Sequence, residues 1–381
     1  MSLRIITFII FVSHPLLSIS QSGGDTLTSN YIVTVNNWLY GRDSLAREQL
    51  LAMPARSAST EQFSAWALLL DEYYFWPGDY RRYLQIADSL HIATSFYSTA
   101  KLLEQQPPLQ YLLQGDSLTI PIRLKHKAHP VVDVQINGLV CRLILDTGAQ
   151  RTLLSNRFVR RLKATKLTDL TLTNYNGKSV PGSLLIADSF VLSNLTIKNL
   201  PVFGAQMLSP GVDGLLGWDV LRHFAITIDY ATRRFILRRS VRKPTTATNL
   251  LGGSRPILLA YGPTQNQLNI QLDTGANNEF SVSPTGLTKI GHYQTKQHLT
   301  FSWAVGQLFR VSRERFVKRV NVQVGGENRS FKESAIFRTN DVIGQIIKDG
   351  LIGSRAFRNG ILTLDGPNHW FTYQHTLQRN Q

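Results

Sequence analysis

The chain repeats itself, and the repeat carries a carboxylate. Leu145-Asp146-Thr147-Gly148-Ala149 returns as Leu272-Asp273-Thr274-Gly275-Ala276, 127 residues later. Each copy follows an alternating apolar run, Val140-Cys141-Arg142-Leu143-Ile144 in the first case and Leu268-Asn269-Ile270-Gln271 in the second. Each is followed by a second matching phrase. Asp213-Gly-Leu-Leu-Gly-Trp-Asp-Val-Leu-Arg222 begins 67 residues after Asp146, and Asp349-Gly-Leu-Ile-Gly-Ser-Arg-Ala-Phe-Arg358 begins 76 after Asp273. Two phrases repeated in order and at similar spacing mean that one folding unit of about 120 residues is built twice. Each unit then places one aspartate at the same point of its fold.

Two such carboxylates can do chemistry that one cannot. A pair held about 3 Å apart cannot both ionise, so they share a proton, one serving as base and the other as acid. That pair can activate a water against a peptide carbonyl without a covalent intermediate. The glycine after each Asp-Thr permits close backbone approach where a side chain would obstruct. The threonine hydroxyl both donates and accepts, which suits a buried, self-complementary junction. A single Asp-Thr-Gly is also what a strand-to-turn junction uses for local hydrogen bonding. Two copies in matched context point to the dyad instead.

The four phrases resemble the aspartic proteases of the retropepsin and pepsin type, in which Asp-Thr-Gly follows a strand and an apolar-apolar-Gly segment threads behind it. Leu215-Leu216-Gly217 and Leu351-Ile352-Gly353 match that segment. The lobes are short, more like retropepsin monomers fused in tandem than a full pepsin. The likeness covers roughly residues 118–375. It implies a mainly β, two-lobed aspartic-protease β-barrel fold, here preceded by a small α-helical domain. It implies that Asp146 and Asp273 are the catalytic pair and that Thr147 and Thr274 lock the two loops by crossed hydrogen bonds. Gly148 and Gly275 would allow the loop geometry. It further implies an endopeptidase that needs no metal and no organic cofactor and takes a peptide or protein substrate. The other reading is a catalytically inactive peptide- or cell-surface-binding module on the same fold.

Two details depart from the retroviral pattern. Trp218 follows the glycine of the first copy, where it would pack beneath the loop or wall a subsite. Each lobe is expected to carry a β-hairpin between its two phrases; the first copy has an Asn-Gly turn signal within Thr171–Val180, and Tyr175 beside it is a candidate flap residue. The second copy, Gln297 to Arg310, has no comparable turn signal. One asymmetric flap is therefore expected.

Composition narrows the setting. The N-terminus, Met1-Ser-Leu-Arg4, is short and basic, and an apolar run from Ile5 to Val12 and then Ser18-Ile19-Ser20 follow before Gln21. That is a signal-peptide layout over residues 1–20, predicting an exported protein, with an uncleaved anchor as the alternative. The one cysteine, Cys141, excludes an intramolecular disulfide, so stability must come from the core. With a lone cysteine and nine scattered histidines, neither a zinc cluster nor a serine-hydrolase signature is present. Lysine and arginine total 41 against 25 acidic residues, a formal charge of +16. Basic clusters of that kind fit an anionic surface, but no nucleic-acid motif accompanies them and no specific nucleic acid is expected.

The hydrophobic period divides the chain. Residues 22–115 show helical spacing: a helix within Gly41 to Met53, a capping box at Ser59-Thr-Glu-Gln62, and a long stretch from Tyr80 to Gln105 ended by Pro107-Pro108. From Ser117 the period changes to two. The expected layout is lobe 1 over 116–240, a basic, Thr-rich linker over 241–253 and lobe 2 over 254–381. Because one chain holds both aspartates, a catalytically competent monomer is expected.

Overall fold

The structure, a computed structural model, describes residues 67–376 except 90, 92–93, 95, 127, 175–178, 208–210, 241–247, 292, 305–306, 338–340 and 344–345, together with positions 10–11, 34, 37–38, 45–46 and 48–49. It is mainly β, and the strand order repeats. In lobe 1, His129–Ile136 and Leu139–Leu145 lead to Leu153–Ser155 and the short helix Asn156–Val159. The hairpin of Thr165–Asn174 with Ser179–Leu192 follows, then Leu195–Ala205, Gly214–Leu216 and the helix Trp218–Leu221. Lobe 2 runs through Ile257–Tyr261, Gln267–Asp273, Phe280–Val282 and the helix Pro284–Ile290. It continues through the hairpin of Thr295–Ala304 with Gln307–Val324, then Glu327–Ile336, Gly350–Gly353 and a 3-10 turn over Ser354–Phe357. Ile10–Phe11, within the expected leader, pair with Thr173–Asn174.

The apolar-apolar-Gly phrases form the strand that passes behind each aspartate. Gly214–Leu216 lies parallel to Leu143–Leu145, and Gly350–Gly353 lies parallel to Ile270–Asp273. Both threading strands are buried along their whole length, which is why their sequence is continuously apolar rather than alternating. The aspartate opening each phrase anchors it. Asp213 Oδ2 accepts the Arg142 amide at 3.1 Å, and Asp349 Oδ2 accepts the Asn269 amide at 2.9 Å. The helix after each first strand pair is capped alike, with Ser155 Oγ accepting from the Phe158 amide and Ser283 Oγ from the Gly286 amide.

A five-stranded sheet joins the lobes, in the order Trp370–His375, Gly360–Asp365, Ala225–Asp229, Arg234–Arg238, Ser117–Pro121. Its middle pair, Ala225–Asp229 against Gly360–Asp365, is antiparallel and comes from equivalent places in the two repeats. Thr227 and Thr363 face each other there, hydroxyl to hydroxyl at 3.0 Å. A single buried cluster runs from Leu143 and Phe235 in lobe 1 to Leu272 and Phe371 in lobe 2. The lobes thus share one core across the pseudo-twofold.

Two local expectations meet a different structure. The long helix expected over Tyr80 to Gln105 is two helices, Tyr80–Ser89 and Tyr97–Glu104, packed against each other. His91, at a φ of 53°, breaks the first, its amide and ring nitrogen both turning to the Asp88 carbonyl. Lobe 2 carries the hairpin expected between its two phrases, although its sequence lacks a turn signal there. Nine cross-strand pairs from Thr295↔Val317 to Ala304↔Gln307, including Thr300 with Ser312, fix its register without an Asn-Gly. Lobe 2's sheet begins earlier than expected, because Leu250–Leu251 already pairs with Ile257–Leu258. The capping box at 59–62 and the flap candidate Tyr175 lie outside the described residues.

The helical segment packs into lobe 1. Asp71–Phe75 forms a π-helical turn whose five residues are all buried. Phe75, Trp76, Tyr83 and Phe96 belong to one buried cluster with Ile144, Ala149, Leu153 and Leu215 of lobe 1. Glu72, buried, forms an ion pair of 2.7 Å with Arg222. Among the described residues no helix is long and apolar enough to cross a membrane.

Candidate active site

Asp146 and Asp273 stand at the ends of equivalent strands and meet across the lobe junction. The threonines hold them there reciprocally. The Thr147 amide donates to Thr274 Oγ1 and the Thr274 amide to Thr147 Oγ1, both at 3.1 Å. Each hydroxyl then donates to the opposite strand's carbonyl, Thr147 to Leu272 at 3.1 Å and Thr274 to Leu145 at 2.6 Å. Four hydrogen bonds between groups 125 to 129 residues apart lock one loop to the other. All of these groups are buried, so each lost partner would leave an unsatisfied donor or acceptor at a cost of about 1–3 kcal/mol.

The glycines let the carboxyls approach. A Cβ on Gly148 would stand 2.3 Å from Asp273 Cγ, and one on Gly275 would stand 2.3 Å from Asp146 Cγ. Any side chain at either position would displace the opposing acid. The reciprocity shows that each loop forms the floor under the other lobe's carboxyl.

The dyad is electrostatically unequal. Asp146 Oδ1 accepts the Gly148 amide at 3.0 Å and the Ala149 amide at 3.1 Å. Asp146 Oδ2 and both oxygens of Asp273 have no well-formed bond to a protein donor, although the Ala276 amide lies near Asp273. The two carboxyls are close enough to interact electrostatically. Burial, with the Asp273 charge next, raises Asp146 well above the usual carboxylate range. Burial also raises Asp273, but Arg255 and Lys348 oppose it there. Both cationic side chains are themselves almost wholly buried, Arg255 at 1% exposure and Lys348 at 4%. His129 sits against the Gly275 backbone and is pushed down to about 3 by burial and by His126 and Lys125, so it adds no charge near neutrality.

Arg151, five residues past Asp146, ties this loop to the helical segment. Its guanidinium lies 3.9 Å from the Trp76 ring centre and 4.8 Å from that of Phe75, with Phe203 at 5.6 Å and Phe96 at 5.8 Å. A desolvated cation over several aromatic faces gains about 2 kcal/mol or more. Asp219 is the first compensating charge, and it is held by the Thr152 amide and hydroxyl at 3.0 and 2.9 Å. Trp218 packs in the core at 4% exposure and donates its Nε1 to the Gly253 carbonyl at 3.2 Å. Cys141 is a buried strand thiol, raised by burial.

The sequence singled out Asp146, Asp273, Thr147, Thr274, Gly148 and Gly275, and the structure brings all six together. Tyr175 is not among the described residues. The sequence reading passed over Arg151, Arg255, Lys348 and His129. Their charge in otherwise apolar stretches was a signal, but only tertiary packing shows which acids or rings they face. The paired Asp213 and Asp349 were visible as part of the repeat, though their bracing role was not.

Residues 132–220 match the family described as "Aspartyl protease". Among solved structures, the crystal structure of aspartic proteinase from Irpex lacteus aligns with a TM-score of 0.46 at 14% identity, over 68% of this chain and 97% of that one. No curated protein matches the chain. The matched segment contains Asp146, the loop after it and the Leu215-Leu216-Gly217 strand behind it, all of which recur in the second lobe. Residues 132–220 of lobe 1 are thus similar to the aspartyl protease family, and the described residues form a mainly β fold in which the same strand order occurs in both repeats.

Proposed function

We propose that the protein is an exported aspartic endopeptidase, acting as a monomer on peptide or protein substrates. The observation that carries this is the reciprocal threonine lock, which presents two buried carboxyls to each other. In this reading Asp146 holds the shared proton on Oδ2, since its Oδ1 is already taken by two amides. Asp273, beside Arg255 and Lys348, is the ionised partner and accepts a proton from the attacking water. Asp146 then protonates the carbonyl oxygen of the scissile bond. The substrate would lie extended between the lobes with strand-like backbone hydrogen bonds. The expected route of export is the leader over residues 1–20, and the +16 charge would draw the protein to anionic surfaces.

One observation favours the non-catalytic reading. Asp146 and Asp273 are both 0% exposed, so substrate and water reach them only if the lobes or hairpins open. Turnover of a denatured protein or a peptide library, with and without a pepstatin-type inhibitor, separates the two readings. Asp146→Asn and Asp273→Asn are each expected to lower kcat by about 10³-fold or more, because an amide can neither share the proton nor accept one. Near wild-type turnover in either variant would sink the dyad assignment.

A further inference from the structure

We propose that lobe 2 carries a strand-docking groove, apart from the dyad, that binds an extended acidic peptide from another protein along the edge of Glu327–Ser330. The inference does not rest on hydrolysis. It comes from comparing the two repeats position by position.

Leu195–Lys198 in lobe 1 and Glu327–Ser330 in lobe 2 are counterparts. Leu192 pairs with Leu195 across one hairpin turn as Val324 pairs with Glu327 across the other. Farther along, Phe203 pairs with Leu153 as Ala335 pairs with Ser281. In lobe 1 the outer edge of Leu195–Lys198 is covered by an antiparallel strand, Gln110–Leu113. Tyr111 of that strand packs its ring on His223 at 4.7 Å and on Phe224 at 5.9 Å.

In lobe 2 no strand covers the same edge among the described residues. A groove of about 550 Å³ lies there instead, lined by Glu327–Phe331 and, opposite, by Glu279, Arg355, Arg358 and Asn359, so that Arg329, Arg355 and Arg358 outnumber Glu279 and Glu327. Asn359 stands in its repeat where His223 stands in lobe 1, ten residues after the aspartate that opens each Asp-Gly-Leu phrase. The groove is therefore the slot that Tyr111 and its strand fill in the first lobe. An uncovered strand edge accepts an extended peptide through backbone hydrogen bonds.

Among the described residues, the segment that precedes lobe 2 does not fill this slot. Leu250–Leu251 is engaged with Ile257–Leu258, and the Asn249 side chain bonds both the amide and the carbonyl of Phe371 at 2.7 and 2.9 Å. The walls supply the charge preference. Arg329 is framed by the rings of Tyr373, Phe331 and Phe357 at 4.7, 5.1 and 5.5 Å. Its Nη2 donates to the Ala356 carbonyl, while Nη1 is buried with no acceptor. Arg355 makes no hydrogen bond or ion pair among the described residues, and Arg358 meets Glu279 only at 4.0 Å. Guanidinium groups with spare donors favour a carboxylate, which they can grip with two parallel bonds.

Fluorescence anisotropy on the full chain carrying Asp273→Asn, which cannot cleave its probe, tests this directly. The probes are labelled Glu-Gln-Tyr-Leu-Leu-Glu, its Lys-for-Glu counterpart, and the Glu peptide N-methylated at alternate amides. The Glu peptide is expected to bind at least about tenfold more tightly than either other probe. Saturating pepstatin-type inhibitor should leave that binding unchanged, and Arg355→Glu or Arg358→Glu should reverse the charge preference. Equal binding of the three probes, displacement by the cleft inhibitor, indifference to both arginine changes, or no saturable binding would each overturn the proposal.

Discussion

At the scale of the residue, the dyad is an arrangement that works against its own stability. Asp273 is held up at about 7 by burial, against 3.8 for an ordinary aspartate, with Arg255 and Lys348 only partly relieving it. The sign of the pH dependence follows. Below about 4 the carboxyl is protonated in both folded and unfolded chains and burial costs little. As pH rises from there through about 7, the unfolded chain ionises while the folded one resists, so stability falls. Asp273→Asn removes that penalty. The variant is expected to melt higher than the wild type at pH 7 and above, with the difference shrinking as pH drops below about 4. Thermal melts of both proteins across pH 3 to 8 check this, and a gap that is constant with pH would contradict it.

Among elements, the helical segment packs into lobe 1, which favours a permanent accessory domain over a removable inhibitory prosegment. An inhibitory prosegment covers a cleft and leaves a sound enzyme behind when removed. Here Phe75, Trp76 and Phe96 instead surround Arg151, on the loop that carries Asp146, and Glu72 pairs with Arg222 at the end of the helix that follows Gly217. Removing the segment would strip a buried cation of its aromatic cage. We expect residues 116–381 alone to be less stable and less active than the full mature chain. Trp76→Ala, which opens a cavity at a residue only 6% exposed, is expected to cost about 3–5 kcal/mol. Comparing turnover and melting of the truncated and full chains decides the matter, and a gain in activity on truncation would point instead to an inhibitory prosegment.

For the whole molecule, the two lobes are one body. They share the sheet in which Thr227 meets Thr363, a continuous core, and the four bonds of the threonine lock. Both halves of the site come from one chain, so no second copy is needed to assemble it. Specific activity is accordingly expected to stay constant on dilution over about three orders of magnitude. A steep loss at low concentration would mean a site shared between chains.

The repeat by itself determined that one unit is built twice with an aspartate at the same place in each, and the period of two with the motif resemblance added the mainly β plan and the six residues at its centre. Asp-Thr-Gly and Asp-Gly-Leu are local phrases whose backbone demands travel with them, so their meaning survives without coordinates. The turn at His91 was not legible, because a left-handed residue in a helical pattern leaves no periodic mark. Nor was the register of the lobe 2 hairpin, which comes from long cross-strand pairing rather than from a turn dipeptide. Only tertiary structure decided which cations face Asp273, which rings enclose Arg151 and which strand edge is left uncovered at Glu327–Ser330. Those depend on contacts between segments far apart in the chain. A lysine or arginine looks the same in sequence whether it meets water, a carboxylate or an indole.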